Sequence, residues 1–555
     1  YDSAGGHYGL NDVQGLKDLL GFADNAAYKF RLTGSIDLAG APGLWIPDFS
    51  GVEFDGAGHT ISNLQVDLPF AASVGMFGRV SDASTVRDLG ILGGSVVGLE
   101  SVGGLTGWNK GTISNTYATP SVREVGRIGG AASAGGLVGD NFGTISNSYA
   151  AGTVSGKNSV GGLVGYNGNI GTISNSYAAG SVSGMNLVGG LVGYNSGTIS
   201  NSCAVGSASG INYVGGLVGH NGDYFVGWVS DSFWDTQTSG QATSAAGTGM
   251  STAQMQHLAN FTSTTSANGN VNPAWDFAGT WVMYDTHTYP LLRVFMSPLT
   301  VSATFSKTYD GLPYTVASGV SYSTPPDMAN VLGTVSYDGT AQGARNVGSY
   351  AIAPGGLYSN QQGYIISYAE GTLTINPATL TYAATPASFA TGQTPSGLSG
   401  TVDGFVAGDG LASSTTGTLA WWTPAESASP AGHYAINGSG LTAANYVFAQ
   451  AAGNATALTL NPTTPRPEPA TNPSPAKGGN TENVPPPPPA ASNLLATTQL
   501  LTNVLASLES VEPEALEVSP TLTVKRVAKP PTVDQTASPS ASNQVDVLTN
   551  IHGTG

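Results

Sequence analysis

The chain has 555 residues, which is too long for a single hydrophobic core, so we expect three or four folding units. Only 9% of the residues are charged, whereas 78 are glycine and 32 are proline, a composition that favours all-β repeats over helical bundles. The net charge is -17, from 34 acidic and 17 basic residues, and the clustered Lys and Arg that a nucleic-acid-binding protein needs are missing from the sequence.

The single cysteine, Cys203, excludes an intrachain disulfide framework and a cysteine-based metal cluster. A near absence of cysteine is compatible with secretion, since premature disulfides would hinder export in an unfolded state. The sequence begins at Tyr1 without a charged-then-apolar leader, and it has no run of about 18 apolar residues. We therefore predict no transmembrane segment, and we expect the C-terminal part of a longer protein whose export signal lies upstream.

Residues 1–100 are predicted to cap a repeat structure and to form its leading rungs. The stretch NDVQGLKDLLGFA has the pattern of a short helix, with Asn11 or Asp12 as its N-cap. Residues 28–40 and 49–64 alternate as strands do. Because a repeat structure exposes its apolar interior at each end, a covering helix is expected there.

Residues 101–222 repeat one pattern. GGLTG begins at Gly103, GGLVG begins at Gly135, Gly161, Gly189 and Gly215, and GTISN follows each of the first four. A period of roughly 20 to 50 residues is typical of solenoids. Gly-Gly pairs and β-branched residues both disfavour helices. We predict a β-helix in which each repeat forms one rung of three short strands.

Equivalent residues of successive rungs are predicted to stack in ladders. The isoleucine and leucine ladders should be internal, whereas the asparagine ladder lies either inside or at a corner, because sequence parity alone does not decide. The members are Ile113, Ile145, Ile173 and Ile199; Leu105, Leu137, Leu163, Leu191 and Leu217; and Asn115, Asn147, Asn175 and Asn201. Tyr117, Tyr149 and Tyr177 share another column whose fourth member is Cys203. That cysteine is therefore predicted to be a stacked wall residue rather than a nucleophile.

Residues 223–297 break the period and are predicted to close the solenoid. Their large aromatic residues suit a cap: Phe233, Trp234, Trp275 and Trp281.

Two related β modules are predicted at 298–377 and 378–462. GSYAI at Gly348 returns as GHYAI at Gly432, and TLTINP at Thr372 returns as ALTLNP at Ala457. Alternating strands that end in Asn-Pro suggest small antiparallel domains arranged as separate beads.

The remaining chain changes composition. Residues 463–491 are proline-rich and predict an extended, semi-rigid linker. Within residues 492–555, leucines spaced along SNLLATTQLLTNVLASLESV predict one short amphipathic helix, with Ser492 as its cap, followed by a disordered tail.

Several motifs resemble those of one kind of bacterial protein. The repeats GGLVGYNSGTISNS resemble the GLUG motif of large bacterial surface proteins, FDGAGHTISNL resembles their usual beginning, and SFWDTQTSGQATSAAGTGMSTAQM resembles their usual end. KTYDGLPY at Lys307 resembles the opening of a YDG-type module, and the next module, with GTVDGFVAGD at Gly400, resembles MBG-type domains. The combination is similar to the C-terminal region of filamentous-haemagglutinin-like adhesins that are exported by two-partner secretion.

The resemblance implies a non-enzymatic virulence adhesin, secreted or associated with the bacterial outer membrane. Its partners would be a receptor or glycan on host cells or other bacteria, and an outer-membrane two-partner-secretion transporter. Many weak contacts along a stiff rod would add up through effective concentration. Two alternatives stay open: a passive stalk for an adhesive domain upstream, and a carbohydrate-active β-helix enzyme. No cofactor and no metal are expected.

The sequence offers little for catalysis. GLUG repeats also resemble those attached to some zinc-dependent immunoglobulin-A peptidases, which need two helical histidines four residues apart. The seven histidines include no such pair. A glycan-cleaving solenoid needs neighbouring carboxylates on one face, yet Glu124 and Asp140 are the only acidic residues between Gly103 and Gly222. We predict no catalytic residues.

Trp108, Tyr166 and Tyr194 are the candidate ligand contacts. They could form an exposed aromatic stripe that stacks on sugars, although an inward-facing position in the core is the interpretation we favour. His220 replaces tyrosine in the same column and is predicted to be a tolerated substitution rather than a ligand. Asp310 in KTYDG is predicted to form a turn before Gly311 rather than to contact a ligand.

Overall fold

The computed structural model describes residues 6–126, 131–223, 225–315, 319–406 and 408–463. It confirms the predicted fold class: a β-solenoid of about seven turns is followed by small β-rich sheets. The predicted linker beyond residue 463, the amphipathic helix within 492–511 and the tail lie outside the described residues.

Four parallel sheets, each named here after a recurring residue, form the walls of the solenoid. The Ile sheet has nine strands: His7–Leu10, Lys29–Leu32, Glu53–Asp55, Thr85–Arg87, Thr112–Ser114, Thr144–Ser146, Thr172–Ser174, Thr198–Ser200 and Trp228–Ser230. The Asn sheet has seven: Ile46–Phe49, Phe77–Val80, Thr106–Asn109, Val138–Asn141, Val164–Asn167, Val192–Asn195 and Val218–Asn221. The Gly sheet has six: Ser73–Val74, Ser101–Gly103, Ser133–Gly135, Val160–Gly161, Asn186–Gly189 and Asn212–Gly215.

The fourth wall, the Tyr sheet, is the largest, with 13 strands. Two long strands in its leading part, Thr60–Leu68 and Gly90–Gly98, are each replaced in later rungs by two short ones. The remaining strands are Ile36–Asp37, Tyr117–Ala118, Ser121–Glu124, Tyr149–Ala150, Val154–Ser155, Tyr177–Ala178, Val182–Ser183, Cys203–Ala204, Ala208–Ser209, Phe233–Asp235 and Thr248–Met250.

The prediction of three strands per rung was wrong, because a complete rung contains five. Asn175 lies between Thr172–Ser174 and Tyr177–Ala178 with φ 46, and this left-handed conformation turns the chain from the Ile sheet into the Tyr sheet. Asparagine adopts that conformation more readily than other residues with a side chain. One predicted strand, GTISNSYA, is therefore two strands on different walls.

The glycines of GGLVG allow two walls to approach at backbone distance. A Cβ added at Gly161, in the Gly sheet, would lie 1.9 Å from the carbonyl oxygen of Val164. A Cβ added at Gly165, in the Asn sheet, would lie 2.6 Å from the backbone nitrogen of Ala134. The motif is thus explained by close packing of the Gly and Asn sheets, where any side chain would collide with main chain.

A short helix covers the leading end, as predicted. Helix α1 spans Val13–Leu19, and Asp12 caps it by accepting a hydrogen bond from the backbone N–H of Gly15 at 2.8 Å. Leu16 and Leu19 are buried beneath it in the solenoid core.

The segment after the repeats covers more than the end of the solenoid. Trp234 belongs to the interior cluster, as a closing cap requires. Phe233, Trp275 and Trp281 instead form a second cluster with Tyr149 and Tyr177, on a side of the solenoid. The segment contains helices α2 (Thr236–Ser239), α3 (Thr252–Met255) and α4 (Ala259–Thr262), a hairpin of Trp281–Val282 with Leu291–Leu292, and the 3-10 turn Arg293–Phe295.

The two β modules share one pairing plan. In the first, Ser297–Ser302 and Phe305–Thr308 run parallel to Tyr364–Ala369 and Gly371–Asn376. In the second, Ala378–Ala384 and Ala387–Ala390 run parallel to Tyr446–Gln450 and Leu458–Asn461. The other strands are Ser321–Tyr322, Val331–Asp338 and Gly348–Ser359 in the first module and Gly400–Asp403, Thr416–Trp422, Gly432–Tyr434 and Asn437–Thr442 in the second, with helix α5 at Leu411–Ser414 and 3-10 turns at Met328–Asn330 and Ala452–Thr456.

The prediction of separate antiparallel beads was wrong in two respects. The sheets mix parallel and antiparallel pairs, because the first strand of each module pairs with a late one. Leu373 and Ile375 of the first module also share one buried cluster with Leu380 and Tyr446 of the second.

Candidate functional site: an aromatic stripe and a charged cluster on the solenoid

The predicted aliphatic ladders lie inside the solenoid. Ile113, Ile145, Ile173 and Ile199 pair in register in the Ile sheet and are fully buried. The leucine ladder of Leu105, Leu137, Leu163, Leu191 and Leu217 is also fully buried, and backbone N–H groups of each rung donate to the leucine carbonyl of the next. These side chains are structural and unavailable to a ligand.

The predicted asparagine ladder lies at a corner, which decides between the two alternatives. Asn115, Asn147, Asn175 and Asn201 all have φ between 46 and 53 and are half-buried. Asn147 Nδ2 donates to Asn115 Oδ1 at 3.3 Å, and Asn115 Nδ2 donates to Asp88 Oδ1 at 2.8 Å. The conformation of the corner, more than the side-chain contacts, accounts for the residue type.

A second asparagine ladder, which the sequence analysis missed, lies inside. Each Nδ2 donates to the next Oδ1 at 2.8 Å along Asn109, Asn141, Asn167, Asn195 and Asn221. The first four are fully buried, and the Oδ1 of Asn109 ends the ladder without a hydrogen-bond partner among the described residues. The signal was in the repeats: this asparagine recurs while the preceding residue changes from Trp108 to Asp140 to Tyr166.

The tyrosine column stacks on the outside of the Tyr sheet. The rings of Tyr117 and Tyr149 are 5.0 Å apart, those of Tyr149 and Tyr177 are 4.9 Å apart, and both pairs are nearly parallel. Cys203 continues the column and is buried, and burial raises the pKa of its thiol to about 12. A thiol in that state is a poor nucleophile, in keeping with a wall residue.

Trp108, Tyr166 and Tyr194 belong to a continuous stripe of half-buried rings rather than to the core, contrary to the interpretation favoured above. Phe142 fills the gap in the column: its ring stacks 5.0 Å from Trp108 and lies 5.6 Å from Tyr166. Tyr166 and Tyr194 are 5.4 Å apart, and Tyr194 is 5.1 Å from His220. These five residues are called the aromatic stripe below, and the exposed Tyr213 meets its end at His220.

Asp140 takes a stripe position in one rung, paired between Trp108 and Tyr166, but its side chain is buried. Both carboxylate oxygens accept serine hydroxyls, from Ser101 at 2.6 Å and from Ser133. Burial outweighs these bonds and raises the pKa of Asp140 to about 6. Because both oxygens of Asp140 already accept hydrogen bonds from serine hydroxyls, this carboxyl group is poorly placed to act as a general acid or base.

A charged cluster on the leading rungs of the Ile sheet was also missed. The guanidinium of Arg87 bonds to the carboxylates of Glu53, Asp55 and Asp88, at 2.7 Å from Asp55. Arg31 lies 3.5 Å from Asp55. Burial raises the pKa of Glu53, but the hydrogen bond and charge of Arg87 outweigh it, so that pKa lies below its usual value. Such a carboxylate is a poor general acid.

The same cluster brings three metal-ligand types together. One ligand atom each from His7, Glu53 and Asp55 lies within 4.8 Å of the others. Both carboxylates are bonded to Arg87, however, and a divalent cation would have to displace that guanidinium. The donor set fits an ion-pair network better than a metal centre.

Asp310, in the KTYDG motif of the first module, forms the turn that the sequence predicts. Its Oδ1 accepts a hydrogen bond from the backbone N–H of Leu312.

None of the helices in the described ranges is long and apolar enough to cross a membrane. At the end of the aromatic stripe, His220 Nε2 lies 3.2 Å from a carboxylate oxygen of Asp223.

Comparison with known proteins identifies two sequence families within the chain. The profile of the GLUG motif matches residues 156–183, one rung of the solenoid. The profile of the MBG domain (YGX type) matches residues 380–456, inside the second β module. The chain therefore contains a GLUG-type solenoid and an MBG-type β module.

Two individual proteins are also similar. Halomucin of Haloquadratum walsbyi (strain DSM 16790 / HBSQ001) is 30% identical over 136 residues, an alignment that covers 21% of this chain and only 2% of halomucin. A solved structure from Bacteroides ovatus, provisionally described as an immunoglobulin A1 protease, is 20% identical, covers 52% of this chain and 92% of its own, and gives a TM-score of 0.38.

Proposed function

We propose that the protein is a non-enzymatic adhesin of a cell surface or the extracellular space, in which the solenoid is a rod that carries ligand contacts along its length. The observation that carries the proposal is the aromatic stripe, five adjacent rings that are each partly accessible across successive rungs. Aromatic faces stack on the apolar faces of sugars, and repeated weak contacts on one rigid body add through effective concentration.

The likeness to halomucin and the GLUG repeats support placement at the cell surface or outside the cell. By its resemblance to filamentous-haemagglutinin-like adhesins, we further propose export by an outer-membrane two-partner-secretion transporter, with host-cell or bacterial glycans as receptors. A transporter gene beside the full reading frame would support this route, and a gene for another export system there would contradict it.

The adhesive role can be tested with beads coated with the chain and applied to epithelial cells and immobilised glycans. The variant Tyr166→Ser/Tyr194→Ser removes two rings of the stripe, and Thr172→Ala/Thr198→Ala alters the Ile sheet of the same rungs. We expect the tyrosine variant to weaken binding about thirtyfold, because each of the two stacked rings contributes roughly 1 kcal/mol and every 1.4 kcal/mol is about a factor of ten. Equal retention of all three proteins would refute a role of the stripe, and no retention at all would favour a passive stalk.

The carbohydrate-active alternative is less well supported by the geometry. The carboxylates of the charged cluster are held by Arg87, and both oxygens of Asp140 accept serine hydroxyls. Glycan hydrolysis needs one protonated and one free carboxyl group on either side of a bound sugar. Incubation of the chain with the retained glycan should release no reducing ends, and reproducible release would refute the non-enzymatic proposal.

A further inference from the structure

A cleft lies beside the charged cluster, away from the aromatic stripe. It encloses about 640 Å³ between the leading rungs of the solenoid and residues 294–297 and 362. That volume falls within the roughly 300 to 1,000 Å³ of small-ligand sites. One wall carries Arg31, Arg87, Asp88 and Asn115, and the other carries Gln362.

The polar groups of the cleft are fixed in place before any ligand arrives. Arg87 is held between Asp55 and Asp88, and Asn115 Nδ2 donates to Asp88 Oδ1 at 2.8 Å. Gln362 Nε2 donates to the hydroxyl of Tyr149 at 3.1 Å. Binding therefore requires little ordering of these side chains, which lowers its entropic cost.

Apolar surface lies next to these polar groups. Tyr117 ends the tyrosine column at the cleft, and its ring packs edge-to-face with Phe295 at 5.2 Å. The preceding residue of the column is Gly90, and a Cβ there would lie 2.3 Å from Tyr117 Cζ, so only glycine allows the ring to reach this position.

The charges that line the cleft disfavour two classes of ligand, metal ions and anions. Two arginines, Arg31 and Arg87, face two carboxylates, Asp55 and Asp88, so the lining is balanced. A metal ion would have to compete with Arg87 for its carboxylates, and an anion would approach a chain of net charge -17. A neutral molecule rich in hydroxyl groups satisfies amide, carboxylate and guanidinium groups together, because each hydroxyl both donates and accepts.

We propose that this cleft binds a neutral mono- or disaccharide unit, with its hydroxyl groups on Arg31, Asn115 and Gln362 and one apolar face on Tyr117 and Phe295. The site is separate from the aromatic stripe and does not depend on the adhesive role proposed above.

The test is saturation-transfer NMR and calorimetry on the full chain with lactose, cellobiose, maltose and N,N′-diacetylchitobiose, and with calcium chloride and inorganic phosphate as other ligand classes. We expect saturable binding of at least one sugar. Asn115→Gly and Arg31→Gln should each weaken it about tenfold, since the first removes an amide from the lining and the second replaces the long guanidinium, with its five N–H donors, by a shorter amide. Glycine suits the φ of 53 at residue 115, so the first variant keeps its backbone.

Matched controls separate the site from general damage. Asn175→Gly changes the same corner two rungs further on, and Arg123→Gln changes an exposed arginine outside the cleft lining. Both should bind like the parent, and so should Tyr166→Ser/Tyr194→Ser. The proposal is overturned if none of the four sugars binds, if only calcium or phosphate binds, if a control loses as much as its partner, or if the stripe variant abolishes binding.

Discussion

The solenoid and the two β modules are both built from strands, but they are stabilised differently. In the solenoid, a residue such as Ile173 is buried between copies of itself, Ile145 and Ile199, in the neighbouring rungs. In the modules, Leu373 and Leu458 are equally buried but in clusters of unlike residues. A substitution in the solenoid therefore disturbs a column, whereas one in a module disturbs a single site.

The largest effect should come from glycines where two solenoid walls meet. Gly161→Ala places a Cβ 1.9 Å from the carbonyl oxygen of Val164, and main chain cannot move aside without breaking the register of both sheets. We expect a loss of about 4 kcal/mol or more in the free energy of unfolding, or failure to fold. Urea unfolding followed by circular dichroism measures it.

Gly453→Ala in the second module is the matched control, because a Cβ there has no heavy atom within 4 Å among the described residues. Its stability should stay within about 0.5 kcal/mol of the parent. Comparable losses from both alanines would contradict the explanation of the GGLVG motif.

The internal asparagine ladder tests whether columns respond as units. Asn167→Ala leaves the Nδ2 of Asn141 and the Oδ1 of Asn195 without their ladder partners, and we expect a cost of about 3 kcal/mol. In a double-mutant cycle, Asn141→Ala should cost about 1 kcal/mol less once Asn167 is already alanine, and that difference is the coupling energy.

The second β module contains a buried asparagine, Asn454, that does not belong to a ladder. Its amide bonds to Tyr382, Ala384 and Gln450 rather than to another rung. Asn454→Ala should destabilise the chain and add simply to Asn167→Ala. Simple additivity of Asn141→Ala and Asn167→Ala would show that the ladder is a set of independent bonds.

The same contrast explains what could be predicted from the sequence. Repetition placed Ile113, Leu137 and their equivalents in columns, because a period of one rung leaves each residue only its copy to pair with. It did not show how the rung folds, since that depends on the φ of Asn175 and on the approach at Gly161.

Prediction was poorest where contacts join distant, non-repeated residues. The pairing of Arg87 with Glu53 and Asp55 links two neighbouring rungs that differ in sequence, so no motif revealed it. The side of the solenoid covered by Trp281, and the parallel first strands of the modules, likewise depend on contacts with no local signal.

Opposite pH dependence is expected from one aspartate in each region. The pKa of Asp140 is raised to about 6, so the folded solenoid binds this proton more tightly than the unfolded chain does. Its contribution to stability is full below about pH 4 and is lost as the pH rises through 6. As the pH rises from 4 to 7, the free energy of unfolding of Asp140→Asn should therefore increase relative to that of the parent by on the order of 2 kcal/mol.

In the second module, hydrogen bonds from Tyr446 and Tyr309 hold the pKa of Asp409 below its usual value. The stability that Asp409 contributes is present above its usual pKa and is lost as the pH falls. The free energy of unfolding of Asp409→Asn should therefore lie furthest below that of the parent near neutral pH, and the two should converge in acid. Urea titrations at several pH values measure both slopes. Slopes of the same sign would contradict the assigned environments.

The smallest effect should come from Gln361, one of the residues that join the first module to the solenoid. Gln361 Oε1 accepts from the hydroxyl of Tyr177 at 2.9 Å and from the backbone N–H of Leu292 at 2.8 Å, and its Nε2 donates to the carbonyl of Leu292. Gln361 and its neighbour Gln362, which bonds to Tyr149, are thus two residues through which the first module contacts the tyrosine column. Gln361→Ala should cost about 1 to 2 kcal/mol, because each bond contributes little net free energy.

The informative result is the shape of the unfolding curve for Gln361→Ala. If this contact couples the regions, scanning calorimetry should show the module unfolding at a lower temperature than the solenoid, whereas the parent shows them closer together. Gln393→Ala removes a single bond, to the backbone N–H of Ala390 at an exposed turn, and should leave both transitions in place. Two transitions of unchanged separation in all three proteins would mean that solenoid and modules unfold independently, and that the tyrosine column supports the cap but not the module.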